Sequence, residues 1–315
     1  MFTQMLGSCL HLMAGSMPAR LRAPGAMPGR LQQFSRRGLA AVALSIALAG
    51  AAPVWAQSIA IEKLDLAQAR TDGKAGVQIL PVLSGEIKEV SVDLVSIVGP
   101  GRHVEPARSK QAVVWLILAG KGTLQTQGRS FDVEGETIAR APQAWAWQIN
   151  AAKGEALHVL RVRRDLNADD FAQLKKFPQN NAAPHVKKFS ECPAYGEAIK
   201  SAKTVSRTLL PENFVPRMAM GTVETTGPDT VGAHRHPMLE QLFLGLQGND
   251  ITVIADQVRA NLTGFSILHI PLGSNHGAEV ASGNKLHYVW MDFFMSKEGQ
   301  EWLKMHKPLE PQRKQ

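Results

Sequence analysis

The chain of 315 residues holds only two cysteines, Cys9 and Cys192, so neither a disulfide framework nor a thiolate zinc site can be built. Aromatics are scarce at 6%, while Gly and Pro number 27 and 18. With β-branched residues clustered in short runs, that composition fits two compact β-rich units better than a long helical bundle. Acidic residues and Lys are missing altogether from residues 1–56, which carry five arginines. A chain beginning at Gln57 therefore drops from the formal +8 to +3, too small a surplus to imply nucleic acid as a partner. Long apolar runs are also lacking. The longest, residues 38–52, is shorter than the ~20 residues that span a bilayer. What remains is ordinary globular material, 44% hydrophobic and 20% charged, which excludes disordered, collagen-like and coiled-coil classes.

Residues 34–57 read F-S-R-R-G-L-A-A-V-A-L-S-I-A-L-A-G-A-A-P-V-W-A-Q, a basic start, an apolar run, and small residues at Val54 and Ala56. This is the pattern of a cleavable export signal, so residues 1–56 are expected to be removed and the mature protein to be periplasmic or secreted, with no membrane anchor. Arg36-Arg37 followed by Gly38-Leu39 also resembles a twin-arginine signal, with a Sec signal as the alternative. Met27 is a second start, and residues 1–26 add nothing to a signal.

In the remainder, β-type runs separated by Gly-Pro-Gly, Gly-Lys-Gly and Glu-Gly turns fill residues 75–165. A charged linker with short helical stretches follows at 166–203, then a second β region at 204–296 and a terminal helix and tail at 297–315. The expected class is all-β. An internal repeat joins the halves: residues 114–122 align without gaps on 240–248, and Pro142 falls on Pro271.

Chemistry concentrates in the second copy. His234 and His236 are two apart, so both imidazoles leave one face of a strand. Glu240 follows, and His276 arrives from a hairpin that Pro271 and Gly273 shape. Three imidazoles and a carboxylate suit one divalent transition metal, Mn, Fe, Ni, Cu or Zn, with positions open for water or substrate. Alternation from Glu240 predicts that Leu242 and Leu244 wall the site, with Met218 and Met220 packing the cavity floor. His269 is either a satisfied strand histidine or a partner to a ligand. For residues 285–294 alternation leaves open which face lines the cavity.

This second copy resembles a cupin domain. His234, His236, Glu240 and Gly248 match the family's first motif and Gly264, Pro271, Gly273 and His276 its second, with one extra residue between Glu240 and Gly248 and another between Gly264 and Pro271. The resemblance, extended by the repeat, implies a bicupin: two tandem jelly-roll barrels. It makes His234, His236, Glu240 and His276 the metal ligands, and a homodimer the family expectation. In the first copy, Arg108, Lys110, Val114 and Trp147 fall on the ligand positions, so that barrel is expected to hold no metal, with His103 and Glu105 as relics at most.

Function is less constrained than fold, because cupins with this ligand set support many chemistries. The expectation is a metal-dependent enzyme acting on a small oxygen-rich or anionic organic molecule by dioxygenase, isomerase or lyase chemistry. The alternative is a periplasmic cupin that binds a small molecule or metal without turnover. No general base is identifiable from the sequence.

Overall fold

The computed structural model describes residues 58–67 and 76–305, so the expected leader and its cleavage site lie outside the described residues. Among the described residues no helix is long and apolar enough to cross a membrane. The architecture is all-β. Each half of the chain pairs a large antiparallel sheet with a four-stranded one, enclosing a barrel. In the first barrel the strands Val90–Val98, Gln111–Ala119, Thr137–Arg140 and Ala156–Asp165 form the body of the large sheet. In the second, Met218–Thr226, Leu239–Gly245, Ser266–Ile270 and Lys285–Phe294 do the same.

Sheet membership does not follow chain order at the edges. The strand Ile61–Lys63, before the first barrel in sequence, pairs with Ser266–Ile270 of the second. Conversely, His185–Lys188, from the linker, pairs with Thr137–Arg140 of the first. Each of these edges is thereby covered by a segment lying outside its own barrel in sequence, which satisfies backbone groups that an open edge would expose. The linker's helix, Ala168–Lys176, is set by Asn167: its Oδ1 accepts from the Asp170 amide at 3.0 Å, and Asp170 returns the bond to the Asn167 amide at 2.9 Å.

Alternation along the large sheets divides the apolar residues between two kinds of core. Val95, Ile97, Trp115, Ile117 and Val159 fill the first barrel, and Val223, Phe243, Ile251, Val253 and Leu268 the second. Their neighbours on the opposite face, Leu94, Val114, Leu116 and Leu160 from one barrel and Met218, Met220, Leu242, Leu244, Val289 and Met291 from the other, merge into one buried layer between the barrels. The expectation that Leu242 and Leu244 wall the site, and that Met218 and Met220 pack a cavity floor, is corrected here. All four sit between the barrels.

A buried polar clamp flanks this layer. Arg217 donates to Asp170 at 2.7 and 2.8 Å and to Glu89 at 2.9 Å, while Arg164 donates to the carbonyl oxygens of Arg217 and Phe294. One helix and both barrels are thus tied through two guanidinium groups, Arg217 paired with carboxylates and Arg164 held by backbone oxygens. Because Leu242 is 1% exposed within the interbarrel layer, Leu242→Ala should lower the unfolding free energy in urea by about 2–5 kcal/mol. A loss below about 1 kcal/mol, typical of solvated positions, would return this side chain to a cavity wall.

Candidate metal centre

Three of the four expected ligands come together. The strand Asp229–Arg235 pairs with Asn275–Val280, and a register shift between Val231 and His234 places His234 directly across from His276. Such a bulge bends its strand and re-aims the side chains beyond it. Gly277 stands opposite, where a Cβ would lie 2.8 Å from the Val231 oxygen. One nitrogen from each of His234, His236 and His276 lies within 4.8 Å of the others, close enough that the three could hold one ion. Arg235 is exposed.

Backbone contacts decide which nitrogen two of the imidazoles offer. Nδ1 of His234 contacts the Gly232 oxygen at 2.9 Å, and Nδ1 of His276 contacts the Ser274 oxygen at 3.0 Å. A carbonyl only accepts, so Nδ1 carries the proton in both rings and Nε2 presents its lone pair. For His276 that Nε2 is buried with no hydrogen-bond partner. Burial, then the neighbouring His234, lower its pKa to about 3, so it is neutral at pH 7. A buried, neutral, unpartnered imidazole nitrogen beside two others suits a cation.

Glu240 is not part of this cluster. Its Oε2 lies 3.0 Å from Nε2 of His269, whose Nδ1 lies 3.0 Å from Glu86 of the first barrel. The residue that turns inward from this strand is Gln241, which lines the cavity with Phe243. The physical reason is alternation: on the strand Leu239–Gly245, Glu240 shares its face with Leu242 and Leu244, and that face packs between the barrels. A sequence signal was present. Six residues separate Gln241 from Gly248, so the extra residue noted after Glu240 disappears if the motif position is Gln241. His269 is the satisfied strand histidine of the two readings, held by two carboxylates.

His234 and His236 open onto a cavity of about 490 Å³. Its far wall holds the polar residues that sequence reasoning missed. Asp292, on the strand Lys285–Phe294, is fully buried, and its Oδ1 accepts from Gln241 Nε2 at 2.7 Å. Burial raises its pKa from 3.8 to about 7, although the Gln241 bond pulls the other way. Gln241 Oε1 is buried without a donor. Alternation on this strand puts Tyr288, Trp290 and Asp292 toward the cavity, which resolves the face left open by the sequence. Residues 195–200 of the linker form part of the cavity lining, pinned where the Gly232 amide donates to the Ile199 oxygen at 2.8 Å. They bring Tyr195, Glu197 and Lys200 to the cavity.

The first barrel is built differently at the corresponding place. Glu105 faces Trp147 across its strand pair as His234 faces His276, so Glu105, and not Arg108, takes the His234 position. Val114 pairs with Arg140, two residues before Pro142, and Leu242 pairs with His269, two before Pro271. The counterpart of Val114 is therefore Leu242, two residues beyond the ungapped alignment. Trp115 and Trp147 stack at 4.6 Å in the interior. Arg161 lies between Asp93, at 3.0 Å, and Glu105, at 2.8 Å. Burial would raise the Glu105 pKa, but hydrogen bonds from His103, Arg108 and Arg161 hold it down to about 2. His103 and Glu105 touch at 3.4 Å, within a site already occupied by a guanidinium.

No protein-family model and no curated protein matches this chain. Solved structures do. The putative glyoxylate-induced protein from Pseudomonas aeruginosa superposes over 69% of this chain and 80% of its own, with a TM-score of 0.56 and 11% identity. A cupin 2 conserved barrel domain protein from Leptotrichia buccalis covers 75% of this chain and 97% of its own, at 0.53 and 13%. A mutant of oxalate decarboxylase from Bacillus subtilis covers 74% and 78%, at 0.50 and 14%. Identities this low bear on fold alone, and with the strand order above they establish that the chain has the cupin fold, carried as two tandem jelly-roll barrels.

Proposed function

We propose that the second barrel binds one divalent transition metal through His234, His236 and His276, and that the protein is an enzyme transferring a proton on a small oxygen-rich substrate in the adjoining cavity. One observation carries this reading: two imidazoles of the three-histidine cluster, His234 and His236, line the same cavity as Asp292, a buried carboxyl poised near 7. Neutral imidazoles accept Mn, Fe, Ni, Cu or Zn, and the histidine nitrogens present here fit such an ion. The bound metal would supply a Lewis acid for a substrate oxygen.

The remaining work falls to the chain's own residues. Gln241 holds one oxygen of Asp292, leaving the second to take a proton from substrate or return it. A carboxyl with a pKa near the working pH is close to optimal for that task, since both its protonation states are well populated. Phe243, Tyr288 and Trp290 contribute aromatic wall to the cavity. Among dioxygenase, isomerase and lyase chemistries, a buried proton carrier supports isomerase or lyase action. With the export signal read in residues 34–57, the site of action is the periplasm or the medium.

Asp292→Asn tests the role. Metal-loaded protein would be incubated in deuterium oxide with a panel of small oxo- and hydroxycarboxylates, and label uptake followed by mass spectrometry. The variant should keep its metal yet lose about 10²–10⁴-fold in exchange, and wild-type exchange should rise with pH and level off above about 7. Unchanged exchange per bound metal would remove Asp292 from the reaction. Stability gives a second readout. Because the folded-state pKa lies above the ordinary 3.8, the folded protein holds a proton that the unfolded chain releases between about pH 4 and 7, and stability contributed by this group falls as pH rises through that window. Asp292→Asn should therefore raise Tm relative to wild type at pH 8 and leave it unchanged near pH 4.

A further inference from the structure

Lys200 is placed unusually for a lysine of a linker. Its side chain is 6% exposed, it reaches the cavity, and burial lowers its pKa while Glu197 opposes that shift. Its Nζ donates to Ser206 Oγ at 2.9 Å, lies 2.8 Å from Glu197 Oε2, and sits 6.0 Å from the Tyr195 ring centroid. The counter-ion is asymmetric: the Glu197 side chain is 31% exposed, five times more than the lysine it neutralises. Glu197 lines the cavity as well, and its greater exposure leaves it a route to solvent if a ligand takes its place at the ammonium.

The charge balance of the cavity points the same way. Among the residues that line it, Glu197 and Asp292 are the carboxylates, and Lys200 is the cation. Glu197 is already matched by Lys200, and Asp292 is protonated through much of the range below neutrality. A divalent ion on the histidines would leave the enclosed space with a surplus of positive charge, costly in surroundings of low dielectric unless the ligand brings negative charge.

From this geometry we infer that Lys200 is the specificity-determining residue of the cavity: it selects substrates bearing a carboxylate, which displaces Glu197 from the ammonium and sends it toward water. The substrate class is thereby a small carboxylic acid, with one end on Lys200 and an oxygen-bearing end toward the histidines. Glu197 acts as an internal placeholder, so the ammonium is never left buried and unpaired in the free protein, the situation that costs most. A carboxylate that fills the place gains a charge-assisted hydrogen bond from a buried ammonium, and an amide of equal shape cannot. The inference rests on the second-barrel cavity being the substrate site, as proposed above, but the ammonium and its placeholder act whether or not a metal is present.

The test uses metal-free and metal-loaded full-length protein and isothermal titration calorimetry with acetate, pyruvate, malonate and succinate, with malonamide as the neutral match for malonate. At least one carboxylate should bind metal-free protein, with malonamide at least tenfold weaker than malonate. Lys200→Gln should weaken carboxylate binding at least tenfold, and Lys200→Arg should restore most of it. Glu197→Gln is the more telling variant, since removing the placeholder should tighten carboxylate binding several-fold, a gain that no folding defect produces. Failure of every carboxylate to bind, equal binding of malonamide, or weaker binding by Glu197→Gln would overturn the assignment. Loading the metal should strengthen binding further. If loading changes nothing while the Lys200 and Glu197 effects hold, the metal's contact with substrate fails and the lysine's role stands.

Discussion

The structure depends on a single strand serving two interiors at once. Along Leu239–Gly245 the even positions, Glu240, Leu242 and Leu244, face the other barrel, and the odd positions, Gln241 and Phe243, face the cavity. A slip of one residue would exchange the two sets, burying Gln241 between the barrels and turning leucines onto the histidines. The register is held from both sides, by Ser266–Ile270 and by Lys285–Phe294, and by the apolar layer that the leucines share with Val114, Leu116 and Leu160 of the first barrel. The first barrel thus contributes to the site without touching it: it supplies the surface that fixes which face of this strand looks inward.

The two barrels show what one fold does with a central polar cluster. In the second, three imidazoles cluster, and two of them, His234 and His236, line a cavity that can admit a cation and a ligand. In the first, the cation is built in. The Arg161 guanidinium sits between two carboxylates, and stacked indoles take up the space beside them. A guanidinium stays charged at any relevant pH and fills its donors with fixed geometry, so the cluster is satisfied and closed. The same contrast separates a supporting barrel from one that has room for a ligand.

Much of this was legible in the sequence. Turn spacing and β-type runs disclosed two β units, and His-x-His with a later histidine behind a Pro-x-Gly turn located the cluster. The carboxylate was misplaced because Glu240 and Gln241 are adjacent, and only the strand's starting parity, which the interbarrel layer sets, separates them. Asp292 was hidden for a similar reason: both faces of Lys285–Phe294 are buried, so its alternation carries no contrast between inside and outside. Lys200 and Glu197 lie in a stretch that reads as a charged linker, and their placement in the cavity lining is a consequence of tertiary contacts such as Gly232 to Ile199. The crossed edge strands were equally silent, because three or four residues of extended chain do not announce which sheet they join.

The most direct check of the central claim is to ask the metal which atoms surround it. X-ray absorption on the cobalt- or zinc-loaded protein, with metal content measured in parallel, should show about three imidazole nitrogens and light-atom scatterers in the open positions. Glu240→Gln should leave both the spectrum and the metal content unchanged, since that carboxylate pairs with His269 and not with the ion, while His236→Ala should remove most of the metal. Loss of an oxygen scatterer or of the metal itself in Glu240→Gln would contradict the account, because it would return Glu240 to the site and undo the strand parity on which the cavity rests.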